Sequence, residues 1–533
     1  MLDTLIRNVS IVDGSGKPGF TGNVGIRDGK IVLNNVSAGE EASHIIDGSG
    51  LTLTPGFIDS HSHADEAMCD DVEGYELCKI NQGITTEVCG QCGASLFPIS
   101  PAFLTEHLNC LSSFINEEQM ERVKDFTDFS AFLSYAEALP KGQNFVFNIG
   151  HGTLRTAAMG VANRKPTAGE LETMKSYLRE AMEHGCHGLS SGLIYTPGVY
   201  CETEELVELC KVMAPYHGIY ATHMRNEAAH VVDSVKEAIY IAETAGVKLV
   251  ISHHKVCGKS NWGLATETLK VIHEAIERGV DITIDQYPYE ATQTYMNVIL
   301  PPKYFAEGMD AILEHLGDSS WRAQVKAEIT DPDSTFENQW KNCGGFDGIL
   351  VLSSPNVPQA CGMTIGAYAR KCGKDEFETF FDLLSANKGA GLCAYFCIDE
   401  KEIQQIYMDE YTVPGTDCII TLDKSPCHPR TYATFVRTLK HFHKDCKLLS
   451  FEAAVHKQTE QTALAWGLKN KGLIAEGYDA DLVLLDYDSL NDCATFENGR
   501  QLCDGIVSVF VNGEIVYQDK KLTGVYPGKC ILR

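Results

Sequence analysis

The chain lacks any apolar run long enough to span a bilayer. Its opening, Met1-Leu-Asp-Thr-Leu-Ile-Arg-Asn8, has no basic stretch followed by an apolar one, so no secretion signal is read there. Positive charge is scarce: 44 lysines and arginines stand against 72 aspartates and glutamates, a formal net charge of −28. Nucleic acid demands basic stripes, and none appears. The same deficit means that an anionic substrate needs a local cluster of cations to overcome the general field. A second Cys-x-x-Cys to match Cys89-Gly-Gln-Cys92 is also missing, which removes a zinc ribbon. The 20 cysteines are scattered over 533 residues and read as reduced thiols of an unexported, cytoplasmic protein.

Strand-like texture dominates both ends. Leu5–Val12, the turn Asp28-Gly29, Ile31–Leu33 and Ile45-Ile46 are answered near the C-terminus by Leu482–Leu485, Ile506–Val511 and the turn Asn512-Gly513. One small β-sandwich built from residues 1–54 and 476–533 is expected. Between them, residues 55–475 alternate apolar runs with amphipathic stretches. The runs are Leu53–Ile58, Ile84–Val88, Phe145–Ile149, Gly188–Leu193, Ile219–Ala221, Val247–Ile251, Val280–Ile284 and Cys418–Leu422. Eight such units point to an α/β fold, a closed (β/α)8 barrel of the TIM type. Residues 288–415 exceed any ordinary strand-to-helix connection and read as an insertion over the barrel mouth, a lid.

The residues that end these runs carry the chemistry. In Thr54-Pro-Gly-Phe-Ile-Asp-Ser-His-Ser-His-Ala-Asp65 the two-residue spacing turns His61 and His63 to one side of an extended segment. Further round come Cys92, His151, Ser190, His223, His253, Asp285 and Asp423. Catalytic groups of such barrels sit at that face, and zinc takes imidazole, thiolate and carboxylate. The residues themselves leave six candidate ligands: His61, His63, Cys92, His223, His253 and Asp423. Cys89 reads as a buried thiol, and Cys92, further round the glycine-rich turn, is the better ligand.

From end to end the chain resembles the D-aminoacylase (N-acyl-D-amino-acid deacylase) group of the amidohydrolase superfamily. The resemblance rests on the His61/His63 motif, Gln82-Gly-Ile-Thr-Thr86 leading to Cys92-Gly93, and Gly150-His-Gly-Thr-Leu-Arg155. It continues through Gly188-Leu-Ser-Ser-Gly-Leu-Ile-Tyr195, Thr222-His-Met-Arg-Asn-Glu227, Ile251-Ser-His-His-Lys255, Asp285-Gln-Tyr-Pro-Tyr289, His428-Pro-Arg430 and Thr523-Gly-Val-Tyr-Pro-Gly528. It implies hydrolysis of the amide of N-acyl-D-amino acids. It also implies a tightly bound zinc on Cys92, His223 and His253, with His61 and His63 shaping a second, weaker metal position. Asp423 would be the catalytic carboxylate, and Tyr195, Lys255 and Arg430 would clamp the substrate carboxylate. His151 and Asp285, apart from the resemblance, read either as groups behind the ligands or as structural ones. Of the adjacent pair, His253 is chosen over His254, which faces the opposite way. The sequence departs from the group's pattern at Gln91 and Lys424, and the stretch from Asp423 to Arg430 is short. A cyclic-amide hydrolase resembling hydantoinases is the competing reading, and a barrel without chemistry is a third. The first is disfavoured because those enzymes carry a carbamylated lysine and lack the cysteine.

Overall fold

The structure is a computed structural model that describes every residue except 35, 69–71, 112–116 and 420–424. Eight parallel strands form one sheet in sequence order: Phe57–Asp59, Ile84–Cys89, Asn144–Gly150, Gly188–Gly192, Ile219–His223, Lys248–Ile251, Ile282–Gln286 and Thr412–Pro414. These strands are buried almost throughout. Helices cover their outer faces, as a parallel sheet requires. Val231–Ala245 shows the local logic. Val231, Val235, Ala238, Ile239 and Ala242 recur at helical spacing and are all buried. Gly246, at φ +70°, ends the helix in a left-handed cap.

The sheet closes where the first and eighth strands meet. Ser60 N–H donates to the Pro414 carbonyl at 3.3 Å, and Asp417 N–H to the His61 carbonyl at 2.8 Å. The seam is reinforced from beneath by a fully buried lysine. Lys79 Nζ bonds Asp59 Oδ2 at 2.8 Å, Thr416 Oγ1 at 2.8 Å and Ser62 Oγ at 3.1 Å, and pairs with Glu87 Oε2 at 2.7 Å. One ammonium thus ties together the first two strands and the loop after the eighth.

That eighth strand differs from the sequence expectation. Cys418–Leu422 is the more apolar run, yet Thr412–Pro414 pairs with Ile284–Gln286, and Pro414-Gly415 ends it. Proline lacks the N–H that would continue the ladder. Cys418 and Ile419 therefore lie beyond the strand, in the loop.

The two chain ends share a nine-stranded sheet. Thr52–Pro55 pairs in parallel with Leu2–Ile11 on one side and antiparallel with Leu482–Leu485 on the other. Alternation sorts the C-terminal strand. Leu482 and Leu484 join Ile6, Val9 and Val24 in an inner core, while Val483 and Leu485 pack on Phe57, Ile84 and Phe435 of the barrel. A third sheet, Ala291–Tyr295, Leu392–Phe396 and Ile349–Ser353, is antiparallel and has its own core around Phe346, Phe377 and Phe380. It brings Gln293, Thr294 and Tyr295 to the wall of the cavity at the barrel mouth.

Candidate metal centre and active site

The cysteine turn is shaped by glycine. After the strand Ile84–Cys89, Gly90 sits at φ +71°, and a Cβ there would lie 2.0 Å from the Asn148 carbonyl oxygen. Gly93, at φ +77°, would meet the Gly192 nitrogen at 2.6 Å. Only glycine fits this close approach, and the result is Cys92 projecting into the barrel axis. Cys92 itself lies at φ 53°, and His253 at φ 36°. Two buried, non-glycine residues held in the left-handed region at one point mark a strained, over-determined site.

Around Cys92 Sγ the imidazoles converge: His253 Nε2 at 3.3 Å, His61 Nε2 at 3.4 Å and His223 Nδ1 at 3.9 Å. His63 Nε2 and His61 Nε2 each lie 3.4 Å from Asp417 Oδ1. The ligand atoms of His61, His63, Cys92 and Asp417 lie within 4.8 Å of one another, as do those of Cys92, His223 and His253. Sulfur and nitrogen bound tetrahedrally to one zinc stand about 3.5 Å apart, given bonds of about 2.3 and 2.0 Å. The donor set and its spacing therefore fit zinc, and the shared cysteine joins two adjacent positions.

Behind the ligands lies a second layer of fixed groups. Asp285 Oδ1 accepts the His253 N–H at 2.6 Å, and Oδ2 stands 3.3 Å from His61 Nδ1. Glu227 Oε1 is 3.0 Å from His253 Nδ1, and Oε2 is 3.6 Å from His223 Nε2. Partners on one imidazole nitrogen point the other at the centre. Burial opposes charge on His61, but Asp285 and Cys92 outweigh it and raise its pKa to about 9. Burial and Lys255 oppose charge on His253, and Glu227 and Cys92 raise it to about 10. Burial favours the neutral Cys92 thiol, yet His61 and His253 hold it well below the usual thiol range. The cluster is thus a thiolate and carboxylates wrapped in imidazole, a field suited to a cation.

The expected site residues fare differently. His61, His63, Cys92, His223, His253 and Asp285 are brought together. His254 turns away, its Nε2 2.8 Å from Thr268 Oγ1. His151 bonds Glu205 Oε1 through Nε2 at 2.7 Å, alongside Arg155, rather than any member of the cluster. Tyr195 lines the cavity, its ring against His223 with centroids 5.0 Å apart and its hydroxyl 3.2 Å from Thr294 Oγ1. Lys255 is engaged elsewhere than expected: Nζ bonds both oxygens of Glu227, at 2.6 and 2.7 Å, because a buried ammonium needs a counterion at hand. Arg430 Nη1 pairs with Asp417 Oδ2 at 2.8 Å, and its Nε has no hydrogen-bond partner among the described residues.

Asp423 lies outside the described residues. Among the described residues, the loop that follows the eighth strand supplies Asp417, which meets His61 and His63. Three residues of this site were not singled out from sequence: Asp417, Glu227 and Tyr287. Tyr287 packs its ring 5.7 Å from Lys255 Nζ and 4.7 Å from the Arg430 guanidinium, and its hydroxyl has no hydrogen-bond partner among the described residues. Glu227 stands four residues after His223 in a stretch quoted for its histidine, and Tyr287 two after Asp285; both signals were within reach.

Comparison with known proteins converges on one group. An amidohydrolase family model matches residues 44–330 and 413–517. D-aminoacylase of Alcaligenes xylosoxydans xylosoxydans is 34% identical over 531 residues, covering 100% of this chain and 98% of that one. An N-acyl-D-glutamate deacylase of Bordetella bronchiseptica, solved with zinc and a phosphonate mimic of the tetrahedral intermediate, superposes with a TM-score of 0.83 at 29% identity over both full chains. A D-hydantoinase structure matches at a TM-score of 0.55 and 15% identity, covering 99% of this chain and 98% of that one, a likeness of fold alone. With its cysteine-bearing donor set and full-length match, the chain belongs to the amidohydrolase family, in the group of D-aminoacylase and its relatives.

Proposed function

We propose that the chain is a zinc-dependent deacylase that hydrolyses the amide of N-acyl-D-amino acids to a carboxylate and a free D-amino acid. The observation that carries this is the pair of donor groups that share Cys92 at the barrel mouth, Cys92 with His223 and His253, and Cys92 with His61, His63 and Asp417. Cys92, His223 and His253 would hold the tightly bound zinc, and His61, His63 and Asp417 would shape a second position. Zinc there supplies Lewis acidity for the carbonyl and lowers the pKa of water to about 7.

Two carboxylates are candidates for the proton traffic: Asp423, which the family resemblance names and which lies outside the described residues, and Asp417, which faces His61 and His63 and is taken here. The Asp417 carboxylate would take the proton of the attacking water and return it to the leaving nitrogen. Burial disfavours its charge, but Arg430 and His253 keep it ionised, well below the ordinary carboxylate range. It is therefore ionised and open to a proton at neutral pH. Tyr195 on the cavity wall would receive the substrate carboxylate, with Arg430, buried behind Asp417, adding its charge from beneath the lining, while Lys255 acts by holding Glu227 against His253. Fixing the carboxylate fixes the α-carbon, so one hand of amino acid presents its acyl carbonyl to the centre. Asp285 and His61 complete the wall behind the reacting atoms.

The test is amine release from paired N-acetyl-D- and N-acetyl-L-amino acids by the zinc-loaded protein. Turnover of the D-methionine and D-leucine derivatives alone is expected. Turnover of hydantoin or dihydrouracil in place of every linear amide would overturn the reading in favour of a cyclic-amide hydrolase.

A further inference from the structure

We infer that the cavity above the metal centre is built for uncharged substrate groups, and that an Arg225–Glu237 ion pair on its wall sets this preference. The inference rests on the deacylase reading of the site and names the side chains it takes.

The cavity measures about 970 Å3, at the upper end for small-molecule sites. Its lining includes the apolar side chains of Ile194, Val199, Val298, Leu300, Phe305 and Phe336. Acids are common around it: Glu106, Asp233, Glu237, Asp310 and Glu337 stand on the wall in addition to Asp417. Among the described residues that line it, Arg225 is the only arginine or lysine.

Arg225 follows His223 by two residues, so it is carried out of the same strand as a metal ligand. Its charge is already matched. Nε donates to Glu237 Oε2 at 2.9 Å and Nη2 to Oε1 at 2.9 Å, a bidentate pair. The remaining donors go to the backbone: Nη1 to the Val199 carbonyl at 3.4 Å and Nη2 to the Cys201 carbonyl at 3.2 Å. Thr203 Oγ1 donates to Glu237 Oε1 at 2.8 Å and fixes the acid in place. His107, also on the wall, is kept neutral by burial, its pKa lowered to about 4.

A substrate with a second carboxylate, such as an N-acyl-D-aspartate or N-acyl-D-glutamate, would place that charge among five acids with no free counterion among the described lining residues. Burying an uncompensated carboxylate is among the costliest events in a protein. A neutral apolar side chain, or an apolar acyl group, meets Ile194, Val298 and Phe305 at no such cost.

The experiment compares kcat/KM of the zinc-loaded protein for the N-acetyl derivatives of D-methionine, D-leucine, D-phenylalanine, D-aspartate and D-glutamate. The neutral set is expected to exceed the acidic set by about 100-fold or more. Acidic substrates turned over as well as neutral ones overturn the inference and leave the deacylase reading standing. No turnover of any D-substrate overturns the deacylase reading, and the inference with it. Glu237→Gln then tests the pair itself, since it frees the guanidinium while touching no residue of the metal centre. The acidic-to-neutral kcat/KM ratio should rise by about tenfold or more, with the D-methionine derivative within about threefold of its original rate. An unchanged ratio in a folded, zinc-replete variant removes the pair as the determinant. The wild-type comparison decides the cavity claim whether or not that variant folds.

Discussion

Two buried charged clusters share the first barrel strand and its loop, and they solve the same problem differently. Beneath the mouth, Lys79 brings its own positive charge to Asp59 and Glu87, so the cluster is complete within the chain. At the mouth, a thiolate, carboxylates and four imidazoles converge at metal-ligand spacing on strained backbone. The first holds the seam of the barrel shut. The second is arranged around what it binds. The lesson is that burial and charge alone do not identify a catalytic centre; the type of donor and its convergence do.

The sharpest way to break that contrast is to remove the shared ligand. Cys92→Ala is expected to abolish tight zinc binding and to lower kcat/KM by at least about 1,000-fold, measured by metal analysis and D-amino-acid release. Asp417→Asn should lower kcat by roughly 100- to 10,000-fold while zinc stays bound. Retained turnover in Asp417→Asn would return the role of base to another carboxylate, Asp423 included.

The lower cluster should answer in stability. Lys79→Met leaves Asp59 and Glu87 buried side by side without their cation, and a loss of about 3–5 kcal/mol in urea unfolding is expected. A loss under 1 kcal/mol would show that the seam does not depend on the lysine. Glu227→Gln sits between the two regimes. It removes the charge behind His253 and leaves Lys255 unmatched, so zinc affinity should fall by about 10- to 100-fold, read by competition with a chelator.

The smallest effect concerns a histidine far from the mouth. His187 opens the strand Gly188–Gly192 at the opposite end of the barrel, and burial lowers its pKa to about 3, whereas His61 and His253 are raised. For a depressed histidine the unfolded chain takes up the proton first. Stability should therefore fall as pH drops from about 6.5 toward 3, with a slope of at most about 1.4 kcal/mol per pH unit from this group. His187→Gln should flatten that slope in urea titrations; an unchanged slope would assign it to other groups.

Much of this was legible in the sequence because period and punctuation agreed. Six of the eight barrel strands coincide with apolar runs of the sequence, while the first run, Leu53–Ile58, is divided between Thr52–Pro55 of the terminal sheet and the barrel strand Phe57–Asp59. His61, His63, Cys92, His223 and His253 follow or end these strands. The eighth strand was misplaced for a physical reason. Thr412–Pro414 is three residues long, and it precedes the more apolar Cys418–Leu422, so hydrophobicity pointed past the true edge and past Asp417. Lys255 shows a different limit. Its presence near the ligands was readable, but its partner, Glu227, comes from another strand end, and only the fold brings the two together.

The most direct test of the centre is a zinc titration of metal-free protein, following amine release from N-acetyl-D-methionine in wild type and Asp417→Asn. Activity in wild type should rise to a plateau with the first equivalent of zinc, and Asp417→Asn should bind that zinc and remain slow. Full activity without zinc, or an Asp417→Asn variant as fast as wild type, would contradict a metal centre served by this carboxylate.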